Sequence, residues 1–257
     1  MGGFVSKFSL NGKTAIVTGG AKGLCYSMAE ALHDAGASVV LLDILDLVEE
    51  SAKRLSTSGA PVYAVKCDLG NEKQLEKACR EAVDILGGKI DILLNGAGIQ
   101  FRCKAEDFPA EKWQKILDIN LSAVFYMSQE IGKVMLKQKS GKIINIASMT
   151  SFMASVMIPA YAASKAGVAQ LTKALSNEWA GQGICVNAIA PGYMNTQLTQ
   201  DMKKINPRQY EEISSRIPMG RWGEADDLKG IVVFLASDAS DYISGAVIPV
   251  DGGYLGK

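Results

Sequence analysis

Histidine is the residue that this sequence lacks most clearly, since His33 is its only one among 257 residues. A metal centre built from imidazoles and a Ser-His-Asp hydrolytic triad both need histidines at suitable positions. We therefore expect no bound metal ion and no hydrolase chemistry of that type. His33 is predicted to lie at the surface near a helix end.

Paired cysteines are also missing. The five cysteines are dispersed, and no two of them form a Cys-x-x-Cys motif. An odd, scattered set is typical of reduced thiols, which favours a cytoplasmic location over an oxidising compartment.

Excess charge and long apolar runs are absent as well. Lys and Arg total 27 and Asp and Glu total 27, so no net charge is available to recruit nucleic acid or an anionic membrane. No apolar run has transmembrane length, and the N-terminus lacks a signal-peptide pattern. We expect neither a nucleic-acid nor a membrane partner.

A hydrophobic content of 48% suits one soluble domain, predicted to span residues 1–257. Short apolar runs alternate with helical patterns, among them 47–58, a long helix over 113–137, and 224–236. This alternation predicts an α/β fold of the Rossmann type, a doubly wound seven-stranded parallel sheet with helices on both faces. The predicted strands are residues 13–18, 38–43, 61–67, 90–95, 142–148, 184–190 and 246–250.

Tyr161 and Lys165 are four residues apart in a run of helix formers, so they share one helix face. Ser148, at the end of the strand-like run 142–148, is placed to reach the same point. An ammonium about 5 Å from a phenol stabilises the phenolate by roughly 3 kcal/mol, which favours acid–base work near neutrality. An ordinary helix with a packed tyrosine and an exposed lysine is the alternative for this pair taken alone.

A glycine-rich turn containing Gly19 and Gly23 follows the first predicted strand and precedes a helix, which is the context of a dinucleotide-phosphate site. Asp43 ends the second strand, where a carboxylate hydrogen-bonds ribose hydroxyls and repels a 2′-phosphate. This favours NAD over NADP. Lys22 is a possible partner for the 2′-phosphate and argues for NADP.

Arg102 follows the fourth predicted strand, at the edge where open α/β sheets bind ligands. Its planar guanidinium matches a substrate carboxylate, although an ordinary surface arginine is the alternative. The polar segment at about 191–219 is predicted to form a substrate lid.

Ser148, the Tyr161-x-x-x-Lys165 motif and the run 18–24 (Thr-Gly-Gly-Ala-Lys-Gly-Leu) resemble the short-chain dehydrogenase/reductase family, and the likeness extends from about Ser9 to the C-terminus. Two positions depart from the family pattern. Cys25 stands where the third glycine of the turn is usual, and Gly96 replaces the second asparagine of Asn-Asn-Ala-Gly.

The resemblance implies an NAD(P)-dependent enzyme acting on CH–OH groups, with Asn120 at a local helix break holding a water that links Lys165 to solvent. Asp68 would contact the adenine, the alternative being an N-cap for the helix that begins near Asn71. Thr196 would bind the nicotinamide carboxamide. The implied catalytic residues are Asn120, Ser148, Tyr161 and Lys165. The implied cofactor-binding residues are Gly19, Lys22, Gly23, Leu24, Asp43, Asp68, Leu69, Asn95, Ala97, Gly98, Tyr161, Lys165, Pro191, Gly192 and Thr196.

Within that family the sequence is most similar to the dehydrogenases of sugar acids that act on 2-keto-3-deoxygluconate or gluconate at carbon 5. The stretches that carry this likeness are 145–152, 177–180, 187–194, 216–223 and 240–245. The implied substrate is a hydroxy or keto sugar acid, contacted by Gln100, Arg102, Ser148, Thr150, Tyr161, Tyr193 and Asn195.

Two alternatives remain open at this point: an NADPH-dependent 3-oxoacyl-thioester reductase, and a non-catalytic dinucleotide-binding protein. The family also implies a homotetramer, with helices 120–137 and 161–180 pairing between subunits.

Overall fold

The computed structural model describes residues 3–57, 59–196 and 206–256. The predicted lid segment 191–219 therefore lies partly outside the described residues, since 197–205 are not among them.

Within the described residues, seven strands form one parallel sheet in the order β3-β2-β1-β4-β5-β6-β7. The central strands are continuous runs of buried apolar side chains, as expected of a sheet covered on both faces. The predicted fold class is confirmed, and the predicted strands agree with the observed ones to within two residues at each end. The strands are β1 Thr14–Thr18, β2 Ser38–Asp43, β3 Val62–Lys66, β4 Ile92–Asn95, β5 Gly141–Ile146, β6 Ile184–Pro191 and β7 Val247–Val250.

Helices cover both faces of the sheet and form a hydrophobic core on each. Alternate residues of one strand point into these two cores. Val17 of β1 packs in a cluster with Met28 and Val232, whereas its neighbour Ile16 packs with Leu75 and Met127 on the opposite face. The helices of the described residues are α1 Gly23–Asp34, α2 Leu47–Leu55, α3 Glu72–Ile85, α4 Ala110–Leu117, α5 Ala123–Gln138, α6 Pro159–Trp179, α7 Pro207–Ser215 and α8 Lys229–Ala236.

The predicted long helix over 113–137 contains the local break expected at Asn120, because a π-helical turn, Asp118–Ser122, separates α4 from α5. The prediction of a surface position for His33 is wrong. His33 is near the C-terminal end of α1 but is buried, and its Nε2 lies 2.8 Å from the carbonyl oxygen of Ala60.

None of the helices in the described residues combines the length and the apolar character needed to cross a membrane.

Candidate active site

The strand order reverses between β1 and β4, and ligands of open α/β sheets bind in the crevice at such a point. Two cavities lie at this edge, and Leu24 lines both of them. The larger, of about 450 Å³, extends from the glycine-rich turn to β2 and β4. The smaller, of about 230 Å³, lies over the end of β5. We call them the dinucleotide cavity and the substrate cavity.

The dinucleotide cavity contains most of the residues predicted to hold a cofactor. Its described lining is Gly19, Lys22, Leu24, Cys25, Asp43, Ile44, Leu45, Cys67, Asp68, Leu69, Gly96, Ala97, Gly98, Ile99 and Ile119. The prediction omitted the apolar members Ile44, Leu45, Ile99 and Ile119, because the sequence carries no signal that separates a cavity wall from a core position.

The glycine-rich turn fits a dinucleotide. Gly19 has φ of 72°, and a Cβ there would lie 3.0 Å from the Cα of Ala97, so the backbone of the turn lies directly against the β4 loop. The hydroxyl of Thr18 accepts the backbone N–H groups of Gly96 at 2.9 Å and Ala97 at 3.2 Å, which holds that loop in place. The side chain of the N-cap residue, Lys22, does not cap α1 within the described residues, and the backbone N–H groups of this helix end are suited to a pyrophosphate.

Asp43 is held in a defined orientation at the end of β2. Its Oδ2 accepts the backbone N–H of Ala21 at 3.1 Å, and its Oδ1 accepts that of Leu45 at 3.0 Å. The carboxylate therefore ties β2 to the glycine-rich turn while it lines the dinucleotide cavity.

Asp68 lines the dinucleotide cavity and does not cap the helix that follows it. The N-cap of α3 is Asn71, whose Oδ1 accepts the N–H of Gln74 at 3.1 Å, so the alternative role of Asp68 as that cap is wrong. Asp68 lines the dinucleotide cavity, and its Oδ1 accepts the N–H of Gly70.

The Asn95 side chain lies elsewhere. It donates to Ser128 Oγ at 3.0 Å and to Asn145 Oδ1 at 2.9 Å, which braces β4 against α5 and β5. Asn95 is not among the residues that line the dinucleotide cavity.

Tyr161 and Lys165 share one face of α6, and Ser148 follows the end of β5. Lys165 is buried, its Nζ lies 5.9 Å from the centroid of the Tyr161 ring, and it donates to the carbonyl oxygen of Ile146 at 2.5 Å. The Ser148 side chain is a hydrogen-bond partner of the phenol. The structure thus brings the three side chains together.

The protonation of this group differs from the prediction. Burial raises the pKa of Tyr161 above its ordinary value, and the hydrogen bond with Ser148 opposes the rise without cancelling it. Burial also lowers the pKa of Lys165 to about 8. The net direction for the protein alone is therefore opposite to the lowering expected beside Lys165, because desolvation of the phenolate is the largest effect on the pKa of Tyr161.

Asn120 lies in the π-helical turn and is fully buried. Its Oδ1 accepts the N–H of Ile99 at 2.8 Å, and its Nδ2 donates to the carbonyl of Ile99 at 2.9 Å and to Ser164 Oγ at 3.2 Å. The predicted local helix break is confirmed. The break joins the β4 loop to α6 beside Lys165.

The substrate cavity brings together polar residues from β5, α6 and the loops after β4 and β6. Among the predicted substrate residues, it contains Gln100, Arg102, Ser148, Thr150, Tyr161 and Tyr193, and it also contains Pro191, Gly192 and Thr196. Arg102 is exposed and forms no ion pair with the described residues.

Asn195, by contrast, is turned away from this group. Its side chain donates to Glu224 Oε1 at 2.8 Å, and it is not among the lining residues. Its predicted substrate contact is therefore not supported.

Sequence reasoning missed several lining residues of the substrate cavity. Met149, Ser155, Ile158 and Met194 come from loops, and Gln209 comes from α7, far along the chain. Gln209 has no motif that marks it, because only tertiary packing places α7 over the cavity. Tyr193, Tyr210 and Trp222 form that packing, with ring centroids 5.0 Å apart for Tyr193–Trp222 and 4.8 Å for Tyr210–Trp222.

Residues 19–255 match the family model described as enoyl-(acyl carrier protein) reductase. A 2-dehydro-3-deoxy-D-gluconate 5-dehydrogenase of Bacillus subtilis (strain 168) is 45% identical over 257 residues, which is 100% of both chains.

Two solved structures have nearly the same fold. One, from Beutenbergia cavernae, is provisionally assigned as an NAD(P)-dependent gluconate 5-dehydrogenase and holds NADP at low occupancy; it is 41% identical with a TM-score of 0.94, over 98% of this chain and 100% of that one. The other is a gluconate 5-dehydrogenase from Burkholderia cenocepacia J2315 in complex with NADP and tartrate. It is 35% identical with a TM-score of 0.93, over 98% of this chain and 99% of that one.

Proposed function

Because this chain belongs to the short-chain dehydrogenase/reductase family and is an oxidoreductase, we propose that it interconverts a secondary alcohol and the corresponding ketone of a sugar acid of the gluconate or 2-keto-3-deoxygluconate type. The observation that carries this proposal is the set of residues that line the substrate cavity. Ser148 and Tyr161 line it together with Arg102, a guanidinium that no carboxylate of the described residues neutralises.

The proposed substrate class follows from that charge. A guanidinium at the rim of a polar cavity binds a carboxylate through two parallel hydrogen bonds and fixes the orientation of the molecule. Gln100 and Tyr193 line the same cavity and supply further polar contacts for hydroxyl groups. The names of the relatives, which act on sugar acids, support the same class.

In the proposed mechanism, Tyr161 is the group that exchanges a proton with the reacting oxygen. In the oxidation direction the phenolate takes the hydroxyl proton, and in the reduction direction the neutral phenol returns it. Ser148 hydrogen-bonds the same oxygen and stabilises the charge that develops on it. A nicotinamide dinucleotide, when bound, supplies the redox chemistry.

Lys165 and Asn120 act on Tyr161 rather than on the substrate. The Lys165 ammonium is the cation next to the phenol and favours its charged form as the proton leaves. Asn120 holds the loop after β4 against α6 at Ser164, one residue from Lys165. We propose that this region carries the proton relay between Lys165 and solvent.

For the cofactor we propose NAD in preference to NADP. The Asp43 carboxylate, held by two backbone N–H groups, lines the cavity at the end of β2, where a 2′-phosphate would meet its charge. Lys22 lines the same cavity and supports NADP, as do the relatives that hold NADP. A fixed carboxylate outweighs a mobile, solvated lysine, and this is the physical ground for the choice.

The 3-oxoacyl-thioester reductase is the competing enzyme. The matched family model shares with it only the acyl-thioester class of substrate, since an enoyl reductase acts on a C=C bond and not on a ketone. An acyl-thioester substrate would not use the Arg102 guanidinium as a carboxylate partner. A steady-state screen distinguishes the two: NAD and NADP with gluconate, its 2-keto-3-deoxy analogue, neutral polyols and 3-hydroxyacyl thioesters, with Tyr161→Phe as the inactive control. Turnover of thioesters but not of sugar acids would refute the proposal.

We also propose a cytoplasmic homotetramer. Phe125 lies on α5, one of the helices expected to pair between subunits, and is 37% exposed, so it offers apolar surface to a second subunit. Light scattering tests the assembly, and a monomer would contradict it.

A further inference from the structure

Thr150 has a buried hydroxyl that no group in the described residues satisfies. Two buried side-chain atoms lack a hydrogen-bond partner there, Thr150 Oγ1 and Asn95 Oδ1. The amide nitrogen of Asn95 already donates twice within a packed network, whereas the hydroxyl of Thr150 neither donates nor accepts. A buried polar atom without a partner destabilises a protein, so its retention needs an explanation.

The surroundings of Thr150 supply one. Thr150 is only 7% exposed, and it lines the substrate cavity together with Ser148 and Tyr161. The residue therefore borders the space in which a substrate would lie, while its Oγ1 is buried, and rotation about the Cα–Cβ bond would bring the hydroxyl into that space.

The backbone around Thr150 is fixed. Its N–H donates to Ser148 Oγ at 3.1 Å, and Ser151 Oγ donates to the carbonyl of Lys165 at 2.6 Å. The short helical turn Met149–Ser151 is thus tied to the catalytic serine at one end and to α6 at the other. These contacts fix the backbone of Thr150, so its hydroxyl changes position only by rotation of the side chain.

We propose that Thr150 is a specificity-determining residue whose hydroxyl hydrogen-bonds a second substrate oxygen, on a carbon next to the reacting one. The assignment rests on the proposed function in that Ser148 and Tyr161 hold the reacting oxygen. Ser148 and Thr150 are two residues apart on one turn and line one cavity, so after rotation of the Thr150 side chain they are suited to two neighbouring oxygens of a vicinal diol or α-hydroxy ketone.

The consequence is selection against substrates that lack the second oxygen. A site built to bind a substrate hydroxyl rejects an analogue without it, because the buried group of the protein then stays unpaired. We expect a preference of roughly 10- to 100-fold in kcat/KM for the hydroxylated substrate.

The test compares Thr150→Val, which keeps the shape and removes the hydroxyl, with Thr150→Ser, which keeps the hydroxyl. For the wild type we expect kcat/KM on gluconate to exceed that on 4-deoxygluconate or 6-deoxygluconate by roughly 10- to 100-fold. Thr150→Val should bring the ratio close to one, mainly through loss on gluconate, and Thr150→Ser should retain it. An unchanged ratio in Thr150→Val, or an equal loss on both substrates, would overturn the proposal.

A second measurement needs no substrate. Since Thr150→Val removes an unpaired buried hydroxyl, the Tm of the free protein should rise by about 2–4 °C. A fall in Tm would indicate that the hydroxyl has a structural partner and would refute the assignment.

The two proposals can fail separately. If sugar acids are not turned over but 2,3-butanediol is, the proposed function is wrong, and the comparison of 2,3-butanediol with 2-butanol then replaces the gluconate pair. Equal turnover of those two alcohols would reject the role of Thr150 alone.

Discussion

The Sγ atom of Cys25 occupies the space into which a side chain at Gly96 would project. A Cβ built on Gly96 would overlap Cys25 Sγ and would lie 3.1 Å from the carbonyl oxygen of Thr18. Cys25 and Gly96 are the two positions that depart from the family pattern, and the structure shows that they are in contact. The departures therefore compensate each other: the thiol fills the volume that the missing side chain leaves.

This contact predicts coupled effects of substitution. Gly96→Ala should lower the free energy of unfolding by about 1–3 kcal/mol, because the new methyl group overpacks against the thiol. Adding Cys25→Ala should recover much of that loss, so that the double-mutant cycle gives a coupling energy of about 1–2 kcal/mol. Urea unfolding of the four proteins measures it.

Gly230→Ala is the matched control for that cycle. Gly230 lies in α8, and a Cβ there would meet nothing within 4 Å. The substitution should stabilise the protein slightly through helix propensity. Additive effects of Cys25→Ala and Gly96→Ala would show that the two positions are independent.

The departures at Cys25 and Gly96 were visible in the sequence, but their contact was not. They are 71 positions apart in the sequence, and only the pairing of β1 with β4 brings the start of α1 next to the loop after β4. The ends of β2, by contrast, were predictable, because an apolar run bounded by small and polar residues fits a buried parallel strand whatever its neighbours are.

The protonation of Tyr161 shows a second limit of sequence reasoning. Spacing on a helix placed Lys165 beside the phenol correctly, and Coulomb's law gave the sign of that one interaction. Burial is a property of the whole fold, however, and it determines the net direction at both groups. The same reason explains why Asn195 was misplaced, since its partner Glu224 comes from a distant loop.

The raised pKa of Tyr161 predicts opposite pH behaviour for the two reaction directions. Because the phenol is neutral near pH 7, kcat/KM for ketone reduction should be nearly constant between pH 6 and 7, where Lys165 with its pKa of about 8 stays charged, while that for alcohol oxidation should rise by up to about tenfold per pH unit. Initial rates over this range test the prediction. Ser148→Ala should move the oxidation profile to higher pH, since the Ser148 hydrogen bond lowers the pKa. A shift to lower pH would contradict the assigned role of that bond.

Arg102 predicts a loss of binding that depends on the charge of the substrate. Arg102→Gln should raise KM for gluconate about tenfold, ~1.4 kcal/mol, and leave KM for a neutral polyol unchanged, because only the acid uses the guanidinium. Its exposure limits the expected effect to this size. Lys104→Gln is the matched control, since Lys104 is an exposed cation two residues away that does not line the cavity. Equal losses on acid and polyol would argue against a carboxylate clamp.

Asp43 predicts the cofactor preference. Asp43→Asn keeps one acceptor oxygen for the backbone and removes the negative charge, so the ratio of NADP to NAD affinity should rise about tenfold. Fluorescence titration with both dinucleotides measures the two Kd values. Lys22→Ala is the companion variant, and it should weaken NADP binding more than NAD binding. If Asp43→Asn leaves the ratio unchanged, the carboxylate does not discriminate.

Burial of Lys165 destabilises the folded protein, and the size of this destabilisation depends on pH. Its pKa is about 8 in the fold against an ordinary 10.5, so between these values the unfolded chain binds more protons and stability rises with pH. Below pH 8 the full penalty, about 3 kcal/mol, is present. Burial raises the pKa of Cys25 and Cys79 to about 12 and that of Cys67 to about 11, which acts in the opposite sense above pH 9.

Lys165→Met isolates most of this effect, because the contributions of Cys67 and Cys79 cancel when the variant is compared with the wild type at each pH. Cys25 is coupled to Lys165, whose ammonium lowers the pKa of that thiol, so Cys25→Ala is introduced into both proteins. The stability of the variant relative to the wild type should be highest at pH 7 and should fall by about 3 kcal/mol by pH 10.5. Any constant loss from the hydrogen bond to the Ile146 carbonyl shifts the whole curve without changing its slope. Urea unfolding across this range provides the measurement, and the variant should be inactive throughout. A difference that does not change with pH would show that Lys165 has the same pKa in the folded and the unfolded protein. Burial of its ammonium beside Tyr161 would then not cost stability.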